Sequence, residues 1–500
     1  MATQHDATWE MTTAYQAGCF DYVIVGAGMS GLCAAAMLLK RGQKSFLILE
    51  RSNDVGGTWL ENHYPNAGCD VPSFLYSFSF APKPDWSEKY ARQPEILQYF
   101  REVTDKHQIR SHIAFGHAVE EACYSPHEHG WLIRTACGKS LRCRYLISAV
   151  GQLSTPSIPE IRGEESFEGT RWHSARWPAE MDLNGKRVAV IGNGASTIQF
   201  LPVVAERARS VVLYQRHPSW IHPLRNHKYP PRWHAAFRIF PWLQAWYRFW
   251  IFLICEIRIF VLWDRLVAHA IYRRWLTRSM QSRIRKELQS KLIPNYPPGC
   301  KRILLSSDFL EIVQRPHVTI ETAPIERFSP SGLVTKNGEI PVDCVIYGTG
   351  FQTHPMVSTL NIINGAGVSL RDAWQHFPAT YYGLATPGFP NLFFLYGPNT
   401  NLGHNSIIYM VETQVNHLLK LIELAATSNA AEIEVRDDVV REFVHRTQLK
   451  LSQSAWGAGC SSWYKAADGL IPNNWHTSTL AYRWQLRKPN PDHWKMIERK

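Results

Sequence analysis

Two stretches of this chain carry the same succession of apolar runs and glycines. In the first, Phe20 to Glu50, the apolar run Tyr22–Val25 leads into Gly26-x-Gly28-x-x-Gly31. An Ala- and Leu-rich segment, Leu32–Lys40, follows, then a second run, Ser45–Leu49, that ends at Glu50. Short apolar runs without polar alternation predict strands covered on both faces, as in a parallel sheet, with the segment between them as the crossover helix. Lys186 to Arg216 repeats the unit, with Gly192-x-Gly194 in the turn and Thr197 at the third glycine position. Without that glycine, slightly looser helix–strand packing is expected. Arg144–Thr155 and Val342–Phe351 each place an apolar strand before a glycine turn. They read as strands carrying the chain between two sheets, the second returning it to the first. Asn391–His404 predicts a buried strand, a Gly-Pro turn and a polar loop before a helix starting near Asn405.

The fold expected is α/β, with two Rossmann-like dinucleotide-binding domains and a helical insertion in the second. The boundaries read as 1–155 for the first part of one domain, 156–220 with 300–340 for the other, 221–299 for the insertion, and 341–500 for the remainder of the first domain and a wall of the active site. A length of 500 residues suits such a division.

One apolar stretch breaks the pattern. Ile239 to Trp263 is rich in Trp, Phe and Ile, but Arg248, Glu256 and Arg258 interrupt it. A spanning helix wants about 20 predominantly apolar residues, so 239–263 reads as a buried or interfacial helix.

Charge gives this stretch a second meaning. The formal net charge is +12, yet residues 216–302 alone hold 17 Lys and Arg against 3 Asp and Glu, a net +14. Seven of the 19 Trp lie there too. Two readings stand: a substrate lid whose charges are solvated, or a peripheral membrane contact through 239–263. No nucleic-acid partner is expected, because a basic binding protein accounts for the charge but for neither glycine motif. The 10 cysteines show no C-x-x-C spacing, which argues against a disulfide framework or a zinc site, so no metal residues are assigned and a reducing compartment is the default. Met1–Gly18 is polar and reads as a leader arm, not a signal peptide, which implies a cytoplasmic protein, with peripheral membrane association as the variant.

Each glycine in the first unit has a task. Gly26 makes the tight turn, Gly28 lets backbone approach a pyrophosphate, and Gly31 allows close helix–strand packing. The helix N-terminus offers free N–H groups to phosphate oxygens. Glu50, ending the second strand, is placed to accept from ribose hydroxyls. Gly56-Gly57-Thr58-Trp59 then lets backbone approach again, as the longer diphosphate and ribityl chain of FAD requires. In the second unit Gly192, Gly194 and Ser196 line the turn. Arg216 stands 24 residues after Gly192, as Glu50 stands 24 after Gly26. An acid there repels a 2′-phosphate and a guanidinium binds it, so the first site reads as FAD and the second as NADPH.

The segment Phe167-Glu-Gly169-Thr-Arg-Trp-His173-Ser-Ala-Arg-Trp177-Pro178 fits the pattern F-x-G-x-x-x-H-x-x-x-W-P, between the two glycine motifs. With them it resembles the type I Baeyer–Villiger monooxygenases, within the class B flavoprotein monooxygenases, over Phe20 to Trp475. The resemblance implies that NADPH reduces FAD, that O2 adds at flavin C4a, and that the resulting peroxyflavin attacks a ketone carbonyl to give an ester or lactone. It further implies that Arg302, in Gly299-Cys300-Lys301-Arg302, is the cation stabilising the developing negative charge. Asp70 is implied as the carboxylate holding Arg302, and Lys301 as a second contact to the 2′-phosphate. His173 and Trp177 take structural and conformational roles. Many relatives carry Gly and Arg where this chain has Asn66 and Gly68, so a positive charge near the flavin edge is missing and substrate preference does not carry over. Trp456, Trp463, Tyr464 and Trp475 read as wall and core packing.

The alternative is an N- or S-oxygenating flavin monooxygenase acting through hydroperoxyflavin, which has no need of Arg302. A disulfide reductase shares two nucleotide domains but needs a redox cysteine pair near a glycine motif.

Overall fold

The computed structural model describes residues 18–263, 267–352, 360–460, 462–466 and 468–498. The leader arm Met1–Gly18 lies, but for its last residue, outside them.

Two sheets organise the chain. In the larger, strand Cys19–Val25 sits between Ser140–Ser148 and Phe46–Leu49, parallel to both. Ile113–Ala114 extends one side, and Leu392–Phe394 also pairs with Ser140–Ser148. The antiparallel pair Val119–Ser125 and Gly130–Thr135 continues the other edge, ending at Asn361–Ile363. Helix Met29–Lys40 packs with helix Ile407–Thr427 on one face, in the largest hydrophobic core. The continuous runs YVIV and FLIL are buried throughout, as strands covered on both faces require.

The second sheet has five parallel strands in the order Val318–Glu321, Ser210–Tyr214, Arg187–Ile191, Cys344–Tyr347, Thr170–His173. One expectation is corrected here. The strand within Val342–Phe351 pairs inside this second sheet, and the chain rejoins the first only at Asn361–Ile363. An apolar strand before a glycine turn suits either parallel sheet, so the sequence pattern alone could not choose between them.

The turn expected to be looser is also corrected. Thr197 is fully buried, and its hydroxyl lies 2.0 Å from where a Cβ on Gly348 would stand. The glycine that close packing requires sits on the neighbouring chain segment, so the bulk of Thr197 is accommodated.

Between Ile221–His222 and Leu304–Leu305, which pair in parallel, the chain makes helices Pro231–Ile239, Pro241–Ile257, Val267–Gln281 and shorter turns. Among the described residues, no helix is long and apolar enough to cross a membrane.

Candidate active site and its two nucleotide clefts

Both glycine turns leave the carboxyl ends of central parallel strands, where α/β sheets bind nucleotides. At the first, Gly26 has φ +104°, and a Cβ on Gly31 would come within 1.9 Å of the Gly26 carbonyl oxygen. No residue but glycine fits at 31 without moving the helix. Gly57, at φ +53°, lies against Gly28: a Cβ on it would be 3.0 Å from the Gly28 Cα. The two backbones form a cradle that any side chain would fill, which is the shape a diphosphate needs. Glu50 is buried and accepts from the backbone N–H groups of Ala27 (2.6 Å) and Ser52 (2.8 Å). These bonds fix the carboxylate at the strand end and leave it further acceptor capacity for hydroxyls. Thr58 is exposed on the next short helix, and Trp59 is buried there, its indole N–H donating to the Tyr76 hydroxyl at 3.0 Å.

At the second turn Gly192 has φ +100° and faces the Gly348 carbonyl, Gly194 precedes helix Ala195–Arg207, and Ser196 lies in its first turn beside the Tyr64 hydroxyl. Arg216 is exposed at the strand end, and Lys301 comes close enough for the two to repel. Burial first, and then Arg216, lowers the Lys301 pKa. His217 is lowered by burial and by the same two cations. Two cations and a neutral histidine converging on one cleft, with no carboxylate paired to Arg216 or Lys301 among the described residues, fit a dianionic phosphate. His217 was missed in the sequence, where it is only the neighbour of Arg216.

Between the clefts stands the pair assigned from sequence. Arg302 Nε donates to Asp70 Oδ2 at 2.9 Å, and Nη2 donates to the same oxygen. The Asp70 carboxylate raises the guanidinium pKa further, against the opposing effect of burial, so Arg302 is a fixed cation. Its side chain keeps 33% of its surface. Tyr464 and Tyr396 lie beside it, and burial holds both phenols neutral. Tyr396 sits at φ +59°, its hydroxyl bonded to Asn401 at 2.8 Å. The sequence placed Tyr464 in a packing wall and gave Tyr396 no role; no local pattern marks either as a neighbour of Arg302. Trp456 and Trp475 are core, as expected.

The Tyr64–Asp70 loop joins the two halves. Gln199, on helix Ala195–Arg207, donates to the Gly68 carbonyl (2.9 Å) and accepts from the Tyr64 hydroxyl (2.9 Å). Asn66 adopts φ +61°, a conformation asparagine tolerates better than most residues. Arg92 Nη1 lies 3.6 Å from where a Cβ on Gly68 would stand, and donates to the Asn66 carbonyl at 2.9 Å, so a guanidinium stands beside this loop. His173 is buried at the end of its strand, its ring edge-on to Phe351, while Trp177 packs on Trp172 and Phe200 and its carbonyl meets His63 at 2.9 Å. These contacts fit linker roles for both.

The cysteine reading needs one correction. Cys300 and Cys460 are disulfide-bonded, with Cα atoms 6.3 Å apart and a sequence separation of 160. The pairing is tertiary, with no sequence spacing to announce it. It ties the loop bearing Lys301 and Arg302 to the segment bearing Tyr464, and neither cysteine belongs to a glycine turn.

Residues 23–233 match a family described as pyridine nucleotide-disulphide oxidoreductase. An FAD-binding monooxygenase of Aspergillus niger is 37% identical, the match covering 97% of this chain and 82% of that protein. A Baeyer–Villiger monooxygenase of Pseudomonas aeruginosa is 36% identical over 93% of this chain and 88% of its own length. Among solved structures, OTEMO in complex with FAD and NADP superimposes with a TM-score of 0.88 at 26% identity, over 96% of this chain and 99% of that one. With this identity over almost the whole length, and the same two-cleft α/β architecture, the chain belongs to the type I Baeyer–Villiger and FAD-binding monooxygenase family of class B flavoprotein monooxygenases.

Proposed function

We propose that this protein inserts one atom of O2 next to a ketone carbonyl, releasing an ester or lactone, with FAD in the first cleft and NADPH in the second. FAD falls to 1–155 together with the chain beyond the second sheet's last strand. NADPH falls to 156–220, 300–340 and strand Cys344–Tyr347. Gly26, Gly28, Gly31, Glu50, Gly57, Thr58 and Trp59 would hold the flavin nucleotide. Gly192, Gly194, Ser196, Arg216 and Lys301 would hold NADPH. When bound, these groups supply the electrons and the activated oxygen.

The observation that carries the reading is Arg302 clamped by Asp70. In inserting oxygen beside a carbonyl, negative charge resides first on the attacking oxygen and then on the former carbonyl oxygen. A cation fixed in advance stabilises both without reorganising during the reaction. Asp70 takes two of the five guanidinium N–H groups, leaving donors for oxygen anions. Because Asp70 raises its pKa, Arg302 binds charge and does not serve as a proton donor. Tyr464 and Tyr396 stand beside the cation as neutral phenols.

Arg302→Ala tests the assignment. It should keep NADPH-driven flavin reduction and lose ester formation, the electrons appearing as hydrogen peroxide. Normal ester yield removes Arg302 from the mechanism. Offered a mixture of ketone, sulfide and amine, the enzyme should yield ester; sulfoxide or hydroxylamine alone favours the heteroatom reading.

A further inference from the structure

Helix Pro241–Ile257 carries apolar residues on its solvent side as well as on its core side. A helix on a protein surface ordinarily puts its apolar stripe inward and its polar residues in water. Here the inward side is mixed: Ile251 and Cys255 join the core, with Leu243, Tyr247 and Phe252 packed against it, and polar groups are buried among them. Gln244 donates to the Lys83 carbonyl at 2.9 Å, and Arg248 donates to the carbonyls of Phe74 and Ser77, both at 2.8 Å. The buried Glu256 carboxylate accepts from Asn405 at 2.6 Å and from Thr479. These bonds clip the helix to the core in one orientation. The outward side is apolar: Trp242, Trp246, Phe249, Trp250, Ile254 and Ile257 recur at helical spacing and are all exposed, Trp242 by 68% and Trp246 by 57%.

The area is too large to be incidental. With full side-chain areas of about 150–250 Å² for aromatics, those six expose on the order of 700 Å². The largest apolar patch on a soluble monomer is typically about 300–600 Å². Phe260 continues the face beyond the helix, and Val267, Ile271 and Trp275 expose a second stripe on helix Val267–Gln281.

Charge selects the occupant. Arg273, Arg274 and Arg278 line an open hollow of about 380 Å³ on the second helix with Ala270, Thr277 and Gln281. None of the three arginines has an acidic partner among the described residues. Arg232 and Arg258 are exposed nearby in sequence, and residues 216–302 hold a net +14 in a chain whose total is +12. A second copy meeting this face across a two-fold axis would set arginines against arginines. A bilayer bearing anionic headgroups answers both features: aromatic side chains favour the headgroup boundary, and phosphates neutralise the arginines. The helix is 17 residues, about 26 Å long, too short and too charged on its inward side to span.

We infer that helices Pro241–Ile257 and Val267–Gln281 form a peripheral docking face for an anionic lipid surface, the first lying in the plane of the bilayer boundary with its aromatic side submerged. The inference is independent of the oxygen chemistry.

Co-sedimentation of the purified holoprotein with sucrose-loaded vesicles tests it. Vesicles of phosphatidylcholine with one-third phosphatidylglycerol should pellet the protein at low salt, and high salt or pure phosphatidylcholine should release most of it. The variant Trp242→Glu, Trp246→Glu, Phe249→Glu should stay in the supernatant while retaining its flavin spectrum and NADPH oxidation. These retained readouts exclude misfolding as the cause. Arg273→Gln, Arg274→Gln, Arg278→Gln should lower partitioning onto anionic vesicles about a hundredfold, at roughly tenfold or less per arginine. Wild-type protein that ignores both kinds of vesicle overturns the inference, and so does equal binding to both. A dimer in light scattering that the Trp242, Trp246 and Phe249 variant dissociates would assign the face to a second copy and overturn it as well.

Discussion

Replacing Arg216 by alanine removes one of the two cations that face each other across the second cleft, and its effect should fall on the 2′-phosphate alone. A charge-assisted hydrogen bond contributes about 1.5–3 kcal/mol. Arg216 is exposed and screened by solvent, which places it at the lower end, about 1.5–2 kcal/mol. That corresponds to an increase of about 10- to 30-fold in the NADPH concentration for half-maximal flavin reduction. The limiting reduction rate should stay constant, because a phosphate far from the hydride binds equally in ground and transition states. NADH lacks the phosphate, so its half-saturating concentration should move by no more than about twofold. Lys301→Ala should act in the same direction. The double variant should fall short of additivity, since Lys301 is freed from repulsion by Arg216 when that residue is removed. Anaerobic stopped-flow reduction of the holoenzyme, titrated with each nucleotide, reads all of these. Equal loss for NADPH and NADH, or no change with either, refutes the placement of the 2′-phosphate between these residues.

Asp70→Asn leaves Arg302 charged but removes its anionic clamp; ester formation should fall about a hundredfold, the scale of small misplacements at a reacting centre, with flavin reduction unchanged, as product analysis beside stopped-flow reduction will show. Acid should destabilise the fold below about pH 6.5. Burial lowers His417 to about 4 and His476 to about 3, so below the ordinary histidine value the unfolded chain takes up protons that the folded chain refuses. His417 alone then accounts for a loss on the order of 3 kcal/mol between pH 6.5 and 4. Glu256 adds a second window: burial would raise its pKa, but His404 Nε2 at 3.6 Å and hydrogen bonds from Thr479 and Asn405 prevail and lower it to about 2. Its contribution is present above the ordinary carboxylate range and is lost as pH falls towards 2. Chemical unfolding across pH 7 to 4 should show the histidine-linked decline, and a flat profile contradicts it. Reducing the Cys300–Cys460 bond frees a 160-residue loop, worth up to about 5 kcal/mol in the chain-entropy account; a dithiol should lower the melting temperature of the wild type and leave Cys460→Ser unmoved.

The parts of the fold legible in the sequence are those fixed by local chemistry. Continuous apolar runs before Gly26 and Gly192 gave both parallel strands, and the matched positions of Glu50 and Arg216 pointed to different nucleotides. What the sequence could not disclose depends on contacts between distant segments. Gly348 relieves Thr197 from across the sheet, Arg92 brings a guanidinium to Gly68, and Cys460 reaches Cys300 from 160 residues away. The strand Cys344–Tyr347 pairs in the second sheet and not the first, a choice its apolar run could not disclose, since burial on both faces produces the same run in each. Tyr396 and Tyr464 approach Arg302 only once the C-terminal segment folds over the cleft. Likewise the apolar stretch of Ile239–Trp263 announced a helix, but its outward orientation follows from bonds made by Gln244, Arg248 and Glu256 to residues far along the chain.

The central claim is that one atom of O2 enters the substrate beside a carbonyl. Purified enzyme with FAD, NADPH and a panel of linear, cyclic and aromatic ketones, under dioxygen enriched in the heavy isotope, measures it directly by mass spectrometry. The account predicts an ester or lactone carrying one heavy oxygen in the new C–O–C linkage and none in its carbonyl, with one NADPH consumed per product. Unchanged ketone with NADPH consumed and hydrogen peroxide released, or a product whose new oxygen comes from water, would contradict it.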